Sequence, residues 1–188
     1  LGACSNAAGN RSIAVGVYSK ATEICSMAIG FSASSIAENS IAIGDSAETS
    51  AANATAVGTL SKATQANSSA YGTNASATGK NSMAFGSNSL ANRQNTTAMG
   101  TLAKATGDYS SSYGTNAIAN ASAAMAFGSG AKSSNKASIV FGTNSTASGS
   151  NAVVIGTESI ASQEDAIAIG YQTNASANDA IAIGKSAV

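Results

Sequence analysis

Any chemistry on this chain has to be built from an unusual set of side chains. Its 188 residues include no histidine, no proline and no tryptophan, and nine basic residues balance nine acidic ones. Serine is plentiful, but a serine nucleophile needs a base, and without imidazole no Ser-His-Asp or Cys-His arrangement can form. The few carboxylates do not recur at a spacing suited to an acid–base pair. No Gly-Gly-x-Gly-x-Asp unit of the calcium-binding repeats occurs, and imidazole metal ligation is excluded. These residues point to a non-enzymatic chain with no cofactor and no metal. A net charge of zero argues against bulk attraction to nucleic acid or to a membrane surface. No run of 18 or more apolar residues is present to span a bilayer.

Two further groups of reactive or charged residues remain. Cys4 and Cys25 are the only thiols. Leu1-Gly2-Ala3-Cys4 has the look of a lipoprotein cleavage box, but no hydrophobic segment precedes it. The lysines and arginines offer a binding surface instead. Residues 60–140 carry Lys62, Lys80, Arg93, Lys104, Lys132 and Lys136 against Asp108 alone, a net of +5, between flanks of −2 and −3. Leu60, Leu102 and Ile118 interleave with Lys62 and Lys104. The candidate ligand-binding set is therefore Lys62, Lys104, Lys80, Arg93, Lys132, Leu60, Leu102 and Ile118. A basic band of this kind suits a sulfated glycan or an acidic protein surface, in a salt-dependent way. The plainer reading is a solubilising set of charges on an exposed strand.

The elements that position these residues are set by a fourteen-residue period. Gly16, Gly30, Gly44, Gly58 and every fourteenth residue to Gly184 is glycine, and Gly2 extends the series backwards. Gly9, Gly79, Gly107 and Gly149 stand half a repeat later. The chain is thus one uninterrupted repeat array, a single domain over 1–188. With the glycine as position 0, position −1 is large and apolar from Val15 to Ile183, and −2 is alanine with the exceptions Ser112, Val140 and Val154. Position −3 is often apolar, −5 is often Asn or Asp, and +3 and +5 are always small. Alternation of this kind is strand patterning. Each repeat holds two short strands and two tight turns, with the half-repeat glycines and the Asn/Asp positions supplying positive-φ or side-chain-capped turn positions. Stacked coils about 4.8 Å apart would build a rod roughly 60 Å long.

Side-chain size assigns the faces. Large residues at −1 and −3 are expected inside, opposite the small residues at +3 and +5. Positions +2 and +4 then face solvent, with Cys4 on an outward strand position and Cys25 in a turn. The charge-free Ala/Ser/Thr face at −2 and −4 is expected to meet another copy of the chain. The alternative is a monomer whose alanines reflect low complexity. Thr59, Thr73, Thr101, Thr115, Thr143 and Thr157 at +1 raise a further alternative, an ice-binding solenoid, although Ser87 and Ser129 interrupt the row. Asn-x-Ser/Thr triplets follow automatically from an Asn/Ser/Ala/Thr repeat.

Asn39-Ser40-Ile41-Ala42-Ile43-Gly44, Asn81-Ser82-Met83-Ala84-Phe85-Gly86 and Asp165-Ala166-Ile167-Ala168-Ile169-Gly170 resemble the head repeat of trimeric autotransporter adhesins, the YadA-like head. The resemblance covers essentially the whole chain. It implies a left-handed parallel β-roll, a side-by-side homotrimer, and a place on the outer surface of a Gram-negative bacterium. It also implies attachment to host matrix proteins such as collagen, fibronectin or laminin, or to a cell-surface glycan. A rigid spacer within the fibre is the competing role. The family's neck, coiled-coil stalk and membrane anchor are not in this sequence, so a fragment of a longer protein is expected.

Overall fold

The computed structural model describes residues 2–188; the expected place of Leu1 at position −1 lies outside the described residues. Two four-residue turns per repeat create the period. The first runs from position 0 to +3, as where Ser61 N–H donates to the Gly58 carbonyl at 3.2 Å. The second runs from +7 to −4, as where Ser68 N–H donates to the Gln65 carbonyl at 3.1 Å. The third residue of each turn has positive φ, 59° at Leu60 and 57° at Asn67, which is the type II pattern that favours Gly or Asn there. The half-repeat glycines Gly9, Gly79, Gly107 and Gly149 do not have positive φ; it falls two residues later, at position −5, on Arg11, Asn81, Tyr109 and Asn151. Glycine at position 0 answers to a tighter demand. Gly58 has φ of 131°, and a Cβ there would lie 2.5 Å from the Gly72 carbonyl oxygen of the next coil.

The strands form an all-β parallel solenoid of about thirteen coils of fourteen residues, with no helix among the described residues. The chain comprises two compact units, Leu1–Asn95 and Thr96–Val188. In the first, three-residue strands from Ile13–Val15 to Met83–Phe85 form one parallel sheet. Two-residue strands from Asn6–Ala7 to Leu90–Ala91 form the other. The second unit repeats this, with three-residue strands from Thr97–Met99 to Ile181–Ile183 and two-residue strands from Lys104–Ala105 to Asn174–Ala175. Register is i to i+14 throughout each unit, as in Ala70↔Ala84 and Ile118↔Lys132. Identical positions therefore stack into ladders.

The core reverses the expected orientation of the first strand. Ala28, Ala56, Ala84, Ala98 and Ala126 at −2 are fully buried, with Ser26, Ala54 and Ser82 at −4. They face the equally buried +3 and +5 positions, for example Ala75 and Ala77. The large residues at −1 and −3 point outward, with Tyr71 37%, Met83 41% and Phe141 45% exposed. Turn geometry is the physical reason. A four-residue turn brings its end Cα atoms within about 7 Å, whereas sheets packed through ordinary side chains stand about 10 Å apart. Only Ala, Ser, Thr and an occasional Val fit in that gap. The absence of charge at −2 and −4 is therefore a property of the core, and the expected Ala-rich contact with another copy is not available.

Serine at the inward positions also satisfies the turns. Ser68 Oγ donates to the Gln65 carbonyl at 2.6 Å, and Ser61 Oγ to the Gly58 carbonyl at 2.8 Å. Where +5 is serine, hydroxyls pair across the interior, Ser35 with Ser40 at 2.6 Å and Ser133 with Ser138 at 2.6 Å, while Thr49 donates along the ladder to Ser35 at 3.2 Å. A buried hydroxyl with a partner costs little, which lets so polar a sequence pack.

Candidate functional site

Three kinds of ladder reach the surface. The second strand presents position +4, as its parity requires. Lys20, Lys62, Lys104 and Lys132 there are exposed, and Ile118 is half-buried. In the first unit Lys62 pairs with Glu48 one coil earlier, Nζ to Oε2 at 3.5 Å, both well exposed. In the second unit, Lys104, Ile118 and Lys132 occupy consecutive rungs.

Leu60 and Leu102 are exposed as expected, but in turns with φ of 59° and 60°, two residues before Lys62 and Lys104. Lys80, Lys136 and Arg93 lie in the second turn, away from the +4 strand, at −6 and +7. The basic stretch 60–140 is thus continuous in sequence but divided between a strand face and a turn. Cys4 likewise sits in a turn, with φ of 56°, and not on a strand. Cys25 sits in the other turn, as its phase indicated, and both thiols are free.

The first strand presents what size-based reading placed inside. In the second unit the rings of Tyr113, Phe127 and Phe141 stack at 4.6 and 4.8 Å, with interplanar angles of 5° and 17°. In the first unit Tyr71 and Phe85 stack at 4.6 Å. Aliphatic residues continue each row, from Val15 to Val57 and from Ile155 to Ile183. The apolar row at −1 is unbroken, whereas −3 beside it carries Thr55, Ser69, Thr97 and Ser111; exposed apolar ladders have the chemistry of an interaction surface. The signal that could have found it was the turn spacing: four-residue turns from 0 to +3 and from +7 to −4 hold the two strands too close for Phe or Ile between them.

The turns carry the third kind. Asn53 donates to Asn67, Asn67 to Asn81 and Asn81 to Asn95, amide to amide, at 3.3, 3.0 and 3.0 Å. The threonines at +1 are exposed turn residues. No ligand-sized cavity opens among the described residues. Nor do three His, Cys, Asp or Glu side chains converge as a metal site there. The surface can act by charge and by apolar contact along its ladders.

A parallel solenoid of fourteen-residue coils with two unlike outer strand faces defines a repeat protein. The family pattern of the YadA head domain repeat, which spans two copies of the repeat, matches residues 1–19, 7–33, 21–47, 50–75, 77–103, 91–117, 119–145, 133–159 and 161–187. The chain belongs to this family of adhesin heads. Among solved structures, the crystal structure of the collagen-binding domain of the Yersinia adhesin YadA is similar at 20% identity, covering 98% of this chain and 72% of that chain, with a TM-score of 0.29. No curated protein matches.

Proposed function

We propose that this chain is a non-catalytic adhesin head, displayed on the surface of a Gram-negative bacterium as a side-by-side homotrimer of left-handed β-rolls. The observation that carries the reading is the contrast between the two outer faces. The −1/−3 face holds stacked aromatic and aliphatic ladders, such as Tyr113–Phe127–Phe141, with the chemistry of a surface covered by copies of itself. The +4 strand face, with the +2 turn beside it, mixes charged, polar and aliphatic residues that differ from coil to coil, with the chemistry of a surface that meets other molecules. Attachment to a host matrix protein of the collagen, fibronectin or laminin class, or to cells, falls to this second face. Membership of the YadA head family supports an adhesin role for it.

The test is binding of the purified chain to immobilised collagen, fibronectin and laminin over a range of salt. The reading expects saturable binding to one of them, weakened by salt and by charge reversal at Lys62 and Lys104. Absence of binding to all three and to cultured cells would favour a rigid spacer.

A further inference from the structure

We propose that the strip Lys104–Ile118–Lys132 binds a linear sulfated glycan. The proposal rests on the adhesin reading above and narrows it to one stretch of coils and one ligand chemistry. The three residues are in register on adjacent parallel strands, Lys104↔Ile118 and Ile118↔Lys132. The two lysines are therefore two ladder steps apart, about 9.6 Å, on a line that runs from coil to coil. Both are exposed, and neither pairs with a carboxylate among the described residues, whereas Lys62 is drawn to Glu48 at 3.5 Å. Each ammonium keeps three donors for an incoming anion.

A linear sulfated polysaccharide offers fixed anions at intervals comparable to the length of a disaccharide, separated by ring C–H faces. Sulfate esters on it meet Lys104 and Lys132, a sugar face lies on the Ile118 side chain between them, and hydroxyls reach the exposed Asn116 amide in the preceding turn. An acidic globular surface has no comparable reason to follow the rungs. Single-stranded nucleic acid would want aromatic platforms, and this strip carries none.

Retention on immobilised heparin tests the proposal, with desulfated heparin and polyglutamate as comparison matrices. Serine already stands at +4 in Ser34 and Ser76, so Lys104→Ser/Lys132→Ser preserves the fold, checked by unchanged circular dichroism and melting. The parent chain is expected to be retained on heparin alone. The double serine variant should bind at least tenfold more weakly, with the slope of log affinity against log salt smaller by about two, one for each cation. Lys104→Arg/Lys132→Arg should bind like the parent, and so should Lys62→Ser. Unchanged binding by the double serine variant, equal loss in Lys62→Ser, or equal retention on desulfated heparin or polyglutamate would each overturn the assignment. Binding to matrix proteins or cells without heparin retention removes the glycan site and leaves the adhesin reading. Heparin retention without attachment to either does the reverse.

Discussion

At the scale of single residues, the gap between the sheets decides what each position tolerates. Ser112 replaces alanine at −2, is fully buried, and its Oγ has no hydrogen-bond partner among the described residues. A buried hydroxyl without a partner keeps its desolvation cost, so Ser112→Ala should stabilise the fold by about 1 kcal/mol, read as a higher denaturation midpoint. Lower or unchanged stability would mean the hydroxyl is satisfied. Asn81 separates two contributions. It holds φ of 55°, accepts from Asn67 and donates to Asn95. Asn81→Gly keeps the turn conformation and loses only the amide ladder. Asn81→Ala loses both and should cost about 1 kcal/mol more, since left-handed backbone costs an alanine roughly 1–2 kcal/mol. Equal melting of the two variants would remove backbone strain from the account of the turns.

At the scale of strands, a single alternation carries opposite physical meanings on its two sides. Ala126 and Phe127 are neighbours on the three-residue strand Met125–Phe127, one fully buried and one in the outer aromatic ladder. Ala126→Leu should overfill the gap and destabilise by about 1–3 kcal/mol. Phe127→Asp should leave a folded chain whose self-association fails, seen as a normal far-ultraviolet spectrum at a smaller solution mass. If Phe127→Asp unfolds the chain and Ala126→Leu does not, the orientation of the strand is wrong. Much of this was legible beforehand. The glycine clock, the two strands per coil, the outward +4 lysines and the positive-φ Asn positions all follow from spacing and parity. The inside of the first strand did not, because a large apolar side chain is ordinarily a buried one. Here the four-residue turns from Gly58 to Ser61 and from Gln65 to Ser68 impose a gap too narrow for it. Lys80 and Arg93 were grouped with Lys62 for a related reason. Charge summed along a sequence ignores which edge of the coil each residue occupies.

At the scale of the whole molecule, the fold answers how a chain with few Leu, Ile, Val and Phe residues can be stable and what it does with those it has. Alanine and serine fill the interior, backbone ladders pair from coil to coil, and the large apolar residues are released for an outer surface. An apolar ladder open to water is a poor end state, so copies of the chain are expected to cover it. The most direct test is the mass of the purified protein by light scattering during size-exclusion chromatography. The expected mass is three times 18.1 kDa, reduced to one chain by Phe127→Asp without loss of strand content. A folded monomer of 18.1 kDa over the whole concentration range would contradict it, because the aromatic and aliphatic ladders would then stand uncovered.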